Sequence, residues 1–331
     1  MTDTEKSYRN IIFAREGEIA MVTMNRPEKR NALSVEHMEE LLDCLEVISG
    51  DASISVVILR GEGPVFSSGH DLREMEGQTE EFYQHEFALC SRLMEKIVAM
   101  PQPVIAEVHG IATAAGCQLV ATCDLAIAAE EAQFATPGVK NGLFCSTPMV
   151  ALSRAVGRKG AMGMLLTGEL ISAQEALTLG LVNRVVPKTE LRAATRALAE
   201  KIAQASPAVV GIGKQAFYRQ IDMPLHEAYR YATGVMSSNA VMEDAQEGTG
   251  EVGGTLSDSK LSRSSRCERS RHRASRRRPN TAIVVAEDIA RDDIEKSRDR
   301  RRQSRVRTQS TEDVVEPALV LGIGAIESTP R

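Results

Sequence analysis

Residues 104–124 read VIAEVHGIATAAGCQLVATCD: a strand-length apolar run, Val104–Val108, a loop of small residues, and an amphipathic stretch from Cys117 to Cys123. A short run that is apolar at four of five positions and bounded by turn signals fits a strand buried on both faces. Ala114, Ala115 and Gly116 let a ligand lie against the main chain just before a helix expected to begin near Cys117. The same layout occurs in Val56–Met75, VVILRGEGPVFSSGHDLREM, where Gly69 permits a sharp turn and Asp71 stands where a helix cap belongs. Each loop offers free backbone N–H groups at a helix start. One such donor aimed at a developing oxyanion contributes about 2.7–4 kcal/mol to a transition state, although strand–Gly–helix turns also serve merely as connections.

Outward from these loops, apolar strands alternate with helical stretches: IIFAR, IAMVTM, ISVVILRG, PVIAEVHG and DLAIAAE, with amphipathic segments at Val35–Ile48 and Glu81–Met100. That alternation predicts an α/β domain. After Val186 the pattern turns helical, with Leu191, Leu198 and Ile202 at helical spacing and Pro207 and Pro224 as helix starts. The division that follows is 1–186 as the core, 187–246 as a helical region, and 247–331 as a low-complexity tail. Glycine, serine and arginine dominate the start of that tail, which buries too little apolar surface to offset chain entropy and is expected to be disordered. A solvated tail or gene-model artefact, and an RNA-binding or localisation arm, are both compatible with its composition.

Composition narrows the function classes. With 331 residues and 43% hydrophobic content the chain can build a substantial core. No apolar run approaches the eighteen or so residues that cross a bilayer, so no membrane role is expected. The net charge of −5 gives no global attraction to phosphate backbones, and nucleic acid is not an expected partner of the core. The six cysteines include no C-x-x-C pair, which points to a reducing compartment and no metal. Gly61 and Gly63 are followed by Phe66 where a dinucleotide loop needs glycine, and no G-K-[ST] occurs. The amino terminus, MTDTEKSYRN, lacks an apolar secretion segment and carries Asp3 and Glu5, unlike an acid-poor transit peptide.

Five ordered motifs, NRPEKRNALS (Asn25–Ser34), FSSGHDLREM (Phe66–Met75), HGIATAAGCQLVATCDLAIA (His109–Ala128), FATPGVKNGLF (Phe134–Phe144) and SAQEALTLGLVNRVV (Ser172–Val186), together resemble the enoyl-CoA hydratase/isomerase, or crotonase, superfamily. The resemblance implies a crotonase-like spiral of ββα units with a C-terminal helical trimerisation region, assembled as a homotrimer or a dimer of trimers. It implies an acyl-CoA thioester as ligand, with coenzyme A part of the substrate and no separate cofactor, and a lyase role in fatty acid metabolism. The family's oxyanion hole falls on the backbone N–H groups of His70 and Ala115. The coenzyme A site carries over to His70, Asp71, Leu72, Arg73, Ala115 and Gly116. A mitochondrial location is implied as well, with the cytoplasm as the alternative.

Gln118 and Gly138 stand where the family's hydratases carry two catalytic glutamates. Neither exchanges a proton, and each lost acid–base role typically costs about 10²–10⁴-fold in rate. Two readings follow: an enzyme using a non-standard proton-transfer group, or a non-catalytic acyl-CoA binder that kept the oxyanion pocket. Near the first donor, the side chains of His70, Asp71 and Glu74 are candidate substitutes, and Cys145 and Ser146 follow Gly138. The expectation for Glu74 is an exposed helix face, for Cys145 a buried inert thiol, for His109 a strand end, and for His37, His85 and His226 helical positions without partners.

Overall fold

The computed structural model describes residues 7–248. The tail assignment therefore lies, beyond residue 248, outside the described residues. Two strands, β1 (Ile11–Glu16) and β2 (Ile19–Met24), pair antiparallel and lead into the helix α1 (Val35–Gly50). From there the chain repeats one unit. A strand enters a central sheet, a short second strand enters another sheet, and a helix returns.

The units are β3 (Val56–Gly61), β4 (Val65–Ser67), α2 (Leu72–Met75) and α3 (Glu80–Ala99); then β5 (Val104–Val108), β6 (Ile111–Thr113) and α4 (Ala115–Thr122). Next come β7 (Leu125–Ala129), β8 (Gln133–Ala135), α5 (Pro148–Ala155) and α6 (Gly157–Thr167), and then β9 (Ile171–Ser172), α7 (Ala173–Leu179) and β10 (Arg184–Val186). The helices α8 (Leu191–Ala203), α9 (Pro207–Gln220) and α10 (Leu225–Ala240) follow. The central sheet has the order β1-β2-β3-β5-β7-β10 and is parallel from β2 onward; the smaller one has the order β4-β6-β8-β9, with only β9 antiparallel. This is the spiral of ββα units that the resemblance implies. The helix expected near Cys117 begins two residues earlier, at Ala115.

Strands β2 and β5 are buried at every position, as parallel strands covered on both faces must be. Because strand side chains alternate, Val57, Leu59, Val104 and Ala106 meet α1, α3 and α4 in the main core. Val56, Ile58 and Ile105 instead join Ile19, Met21 and Ala199 of α8 on the opposite face. Among the described residues, no helix is long and apolar enough to cross a membrane.

His37 has a partner after all. Its ring is fully buried, and Nδ1 lies 3.0 Å from the carbonyl oxygen of Ala32. Burial outweighs that hydrogen bond and pulls its pKa down to about 4. The unfolded chain takes up this proton first as pH falls. His37 is therefore expected to subtract stability progressively between about pH 6.5 and 4, by about 3 kcal/mol in full. Denaturant melts of wild type and His37→Gln across that range check this: the variant should show the shallower acid limb.

Candidate functional site

The motif around Asn31 shows how the sequence fixes the first loop. Asn31 is fully buried, and its side-chain amide donates to the carbonyl oxygens of Glu62 (2.8 Å), Val65 (3.0 Å) and Phe66 (3.1 Å). Its own carbonyl accepts from Ser67 Oγ at 2.8 Å. Arg26 reaches the Ala32 carbonyl at 2.8 Å and Asp71 Oδ2 at 3.3 Å. Leu33 then bridges the loop from both sides, donating to the Gly69 carbonyl at 2.8 Å and accepting from Asp71 N–H at 3.3 Å. The segment carrying His70 is thereby held by three residues of the first motif, Arg26, Asn31 and Leu33.

The second loop is held against the first. Gly69 has φ +91°, and a Cβ placed there would lie 2.8 Å from Ala114 Cβ and 3.1 Å from Ala115 N. Gly116 has no room for a Cβ because Ser67 packs against it, its Cβ within 2.8 Å of that position. Thr113 Oγ1 donates to the Ser68 carbonyl at 3.1 Å. Ala114 adopts φ 50°, ψ −119°, an unusual conformation for a residue with a side chain, and is secured by its N–H to the Ala135 carbonyl at 2.9 Å. The result is that Ala115 opens α4 with its N–H free of the helix ladder. Neither the His70 nor the Ala115 N–H donates to an acceptor among the described residues. The loops thus set two unpartnered donors side by side.

Gly69→Ala would force a left-handed conformation on alanine and push the two loops apart. A stability loss of about 1–3 kcal/mol is expected, with weaker acyl-CoA binding in a titration of the folded variant.

A groove of about 920 Å³ opens beside these loops, lined by Arg30, Ser68, Thr113, Pro137, Lys140 and Glu169 among others. Ser68 and Thr113 stand two residues ahead of His70 and Ala115. The other carried-over positions divide. Asp71 caps α2 through Arg73 N–H at 3.3 Å and pairs with Arg26, while Leu72 is 62% exposed and Arg73 is also exposed. Glu74 is half-buried, and its carboxylate accepts from Val35 N–H at 3.0 Å, which replaces the exposed position expected for it. His109 follows β5 and bonds the Gly63 carbonyl at 2.9 Å.

Gln118 is buried on α4, its Oε1 3.9 Å from Cys90 Sγ. Gly138 is packed shut. Its carbonyl accepts from Leu143 N–H at 3.0 Å, and a Cβ there would overlap the Leu143 carbonyl and stand 2.8 Å from Cys145 Sγ. Cys145 is buried, and burial raises its pKa against a hydrogen bond to the Gly138 backbone, so the thiol stays neutral. Cys117 is also buried, and its pKa is pushed up to about 12. Among the described residues, no three His, Cys, Asp or Glu side chains gather to hold a metal.

One functional-looking side chain was not singled out from the sequence. Glu86 on α3 is completely buried, and its Oε1 lies 3.1 Å from His70 Nδ1. The approach is off-line for a hydrogen bond, so neither carboxylate oxygen and neither ring nitrogen has a hydrogen-bond partner in the protein. Burial pulls the His70 imidazolium down, but the adjoining Cys90 and Glu86 side chains outweigh it and hold the pKa up at about 9. Phe87 packs edge-on to the same ring, with centroids 5.4 Å apart. The available signal was a carboxylate in register with the apolar stripe Leu89, Cys90, Leu93, Met94 and Ile97.

Residues 14–251 match the family model described as enoyl-CoA hydratase/isomerase. Enoyl-CoA hydratase domain-containing protein 3, mitochondrial, from Xenopus laevis is 48% identical over 238 residues, covering 72% of this chain and 81% of that one. The human protein of the same name is 49% identical over 231 residues, covering 70% and 76%. The crystal structure of the human protein superposes with a TM-score of 0.73 at 46% identity, over 75% of this chain and 98% of that one. An enoyl-CoA hydratase structure from Mycobacterium smegmatis gives 0.74 at 44% identity, over 75% and 97%.

Proposed function

The chain belongs to the enoyl-CoA hydratase/isomerase family, and from that premise we propose that it binds an acyl-CoA thioester whose carbonyl oxygen accepts from His70 and Ala115 N–H. The observation that carries this reading is the pair of adjacent, unpartnered backbone donors. Preorganised amides of this kind stabilise the negative charge that an enolate places on the thioester oxygen. The coenzyme A arm follows the groove beside Ser68 and Thr113, where Arg30 and Lys140 offer positive charge to its phosphates. Thioester, enolate and proton all stay within the protein and its substrate, so no separate cofactor enters the scheme.

Hydration by two glutamates is not part of this proposal. Gln118 orients a water through its amide but transfers no proton, and Gly138 supplies only backbone. The closed packing at Gly138 favours the second reading, an acyl-CoA binder without hydratase turnover. A mitochondrial location is proposed on the names of the relatives, and a role in fatty acid metabolism on the acyl-CoA reading alone. A homotrimer or dimer of trimers is proposed on the apolar surface of α9 and α10, where Phe217 is 53%, Leu225 74%, Tyr229 69% and Met236 77% exposed.

The test is a calorimetric titration of the full chain with hexanoyl-CoA and with its hexyl thioether analogue, which lacks the carbonyl. Two hydrogen bonds at about 0.5–1.5 kcal/mol each predict tighter binding of the thioester by about 5- to 150-fold. Equal affinities would remove the oxyanion assignment, and absence of binding by either would remove acyl-CoA as the ligand.

A further inference from the structure

We propose that Glu86 and His70 form the proton-transferring pair of this site, with the Glu86 carboxylate taking the Cα proton of the bound acyl thioester. The inference rests on the acyl-CoA reading above and assigns the step that Gln118 and Gly138 cannot perform. Its geometric basis is the register of α3 against α4. Met94 Sδ meets Thr122 Oγ1 at 3.3 Å, and Cys90 Sγ meets Gln118 Oε1 at 3.9 Å. Both contacts step by four residues in the same direction, so the helices run parallel at this contact. One turn earlier, Glu86 falls level with Ala114, beside the free N–H of Ala115. The 3.1 Å approach to His70, neighbour of the glycine packed on Ala114 and Ala115, places it there independently.

Burial supplies the second argument. A carboxylate removed from water without hydrogen bonds is costly, and a pure packing role would be served better by an apolar side chain. Both oxygens of Glu86 are shielded from solvent, and neither is hydrogen-bonded. The other acids of this neighbourhood are engaged: Asp71 caps α2 and pairs with Arg26, and Glu74 holds Val35. Cys117 and Cys145 are neutral thiols.

The chemistry balances without a further reactant. The Cα–H bond breaks, its proton forms an O–H bond on Glu86, and the electron pair moves through the Cα–C bond to the thioester oxygen, where the two N–H groups receive the charge. The imidazolium of His70 stabilises Glu86 as a carboxylate before the transfer and exchanges its proton with Glu86 after it. Reversal returns a proton to Cα, and in D₂O that proton is a deuteron.

The experiment incubates the full chain with hexanoyl-CoA in D₂O and follows the mass of the recovered thioester, alongside calorimetric binding of the same compound. Wild type is expected to incorporate deuterium at Cα. Glu86→Gln should lose about 100-fold or more in exchange rate at saturation while its Kd stays within about threefold of wild type, and Glu86→Asp should recover part of the rate. His70→Gln, which keeps the backbone N–H, should slow exchange without weakening binding. Binding without exchange in wild type, or exchange at the wild-type rate in Glu86→Gln, would overturn the assignment. If Glu86→Gln does not fold, unaltered exchange in His70→Gln overturns it instead. Failure of hexanoyl-CoA to bind counts against the acyl-CoA reading, not against the pair alone.

Discussion

Gly138→Glu, which writes a carboxylate back into the position where hydratases of this family carry one, is expected to lower stability and leave crotonyl-CoA hydration unchanged. The new Cβ would overlap the Leu143 carbonyl, and Cys145 Sγ lies 2.8 Å from the same point. Leu143 is tied to the site by its own N–H on the Gly138 carbonyl, so the obstructing atom is backbone of an anchored residue, not a side chain able to swing away. Forcing extra atoms into such a contact costs about 1–3 kcal/mol or more, and for a domain of this size each kcal/mol lowers Tm by about 2–4 °C. A thermal melt and the loss of enoyl thioester absorbance measure both parts. A variant with wild-type Tm and new hydratase turnover would show that the 138–145 segment yields and that the second acid position is open.

Lys214→Met is expected to cost about 3–5 kcal/mol, the usual consequence of stranding one member of a buried ion pair, or about 6–20 °C in Tm. Lys214 Nζ lies 2.7 Å from Asp124 Oδ2 and donates to the carbonyls of Ile97 at 2.7 Å and Gln102 at 2.9 Å. It ties α9 to the end of α3 and to the turn into β7, while Asp124 also accepts from Val104 N–H at 2.7 Å. Burial pulls the lysine pKa down and Asp124 opposes that pull, so the ammonium depends on its partner. Adding Asp124→Asn to Lys214→Met should cost less than the sum of the single changes. Additive losses would show that the two side chains act separately.

What the sequence made legible depended on length and symmetry. The five long apolar runs became β1, β2, β3, β5 and β7; the signal is densest in β2 and β5, which are buried on both faces, whereas β1 at the sheet edge is largely exposed. The strands of the smaller sheet, two or three residues each, carry no periodicity to read. At the site, the motifs located both donors and the cap at Asp71. They did not show why the donors stay in place, which depends on Asn31, Gly69 and the conformation of Ala114. Glu86 was hidden for another reason. On a helix that carries Glu80, Glu81, Glu86 and Glu95, one carboxylate on the inner face resembles the others until the partner helix fixes which face is inner.

The two-sided burial of the central sheet also has a consequence for synthesis. The strand β7 is complete at residue 129, yet the cover on the far side of the sheet, α8, does not end until residue 203. At ordinary translation speeds of about 5–20 residues per second, some 70 residues take roughly 4–15 s to emerge. During that interval Ile19, Met21, Val56, Ile58 and Ile105 have no lid. The nascent chain therefore carries a sticky, sheet-sized surface on the ribosome for seconds, and chaperone capture is most needed between those two lengths.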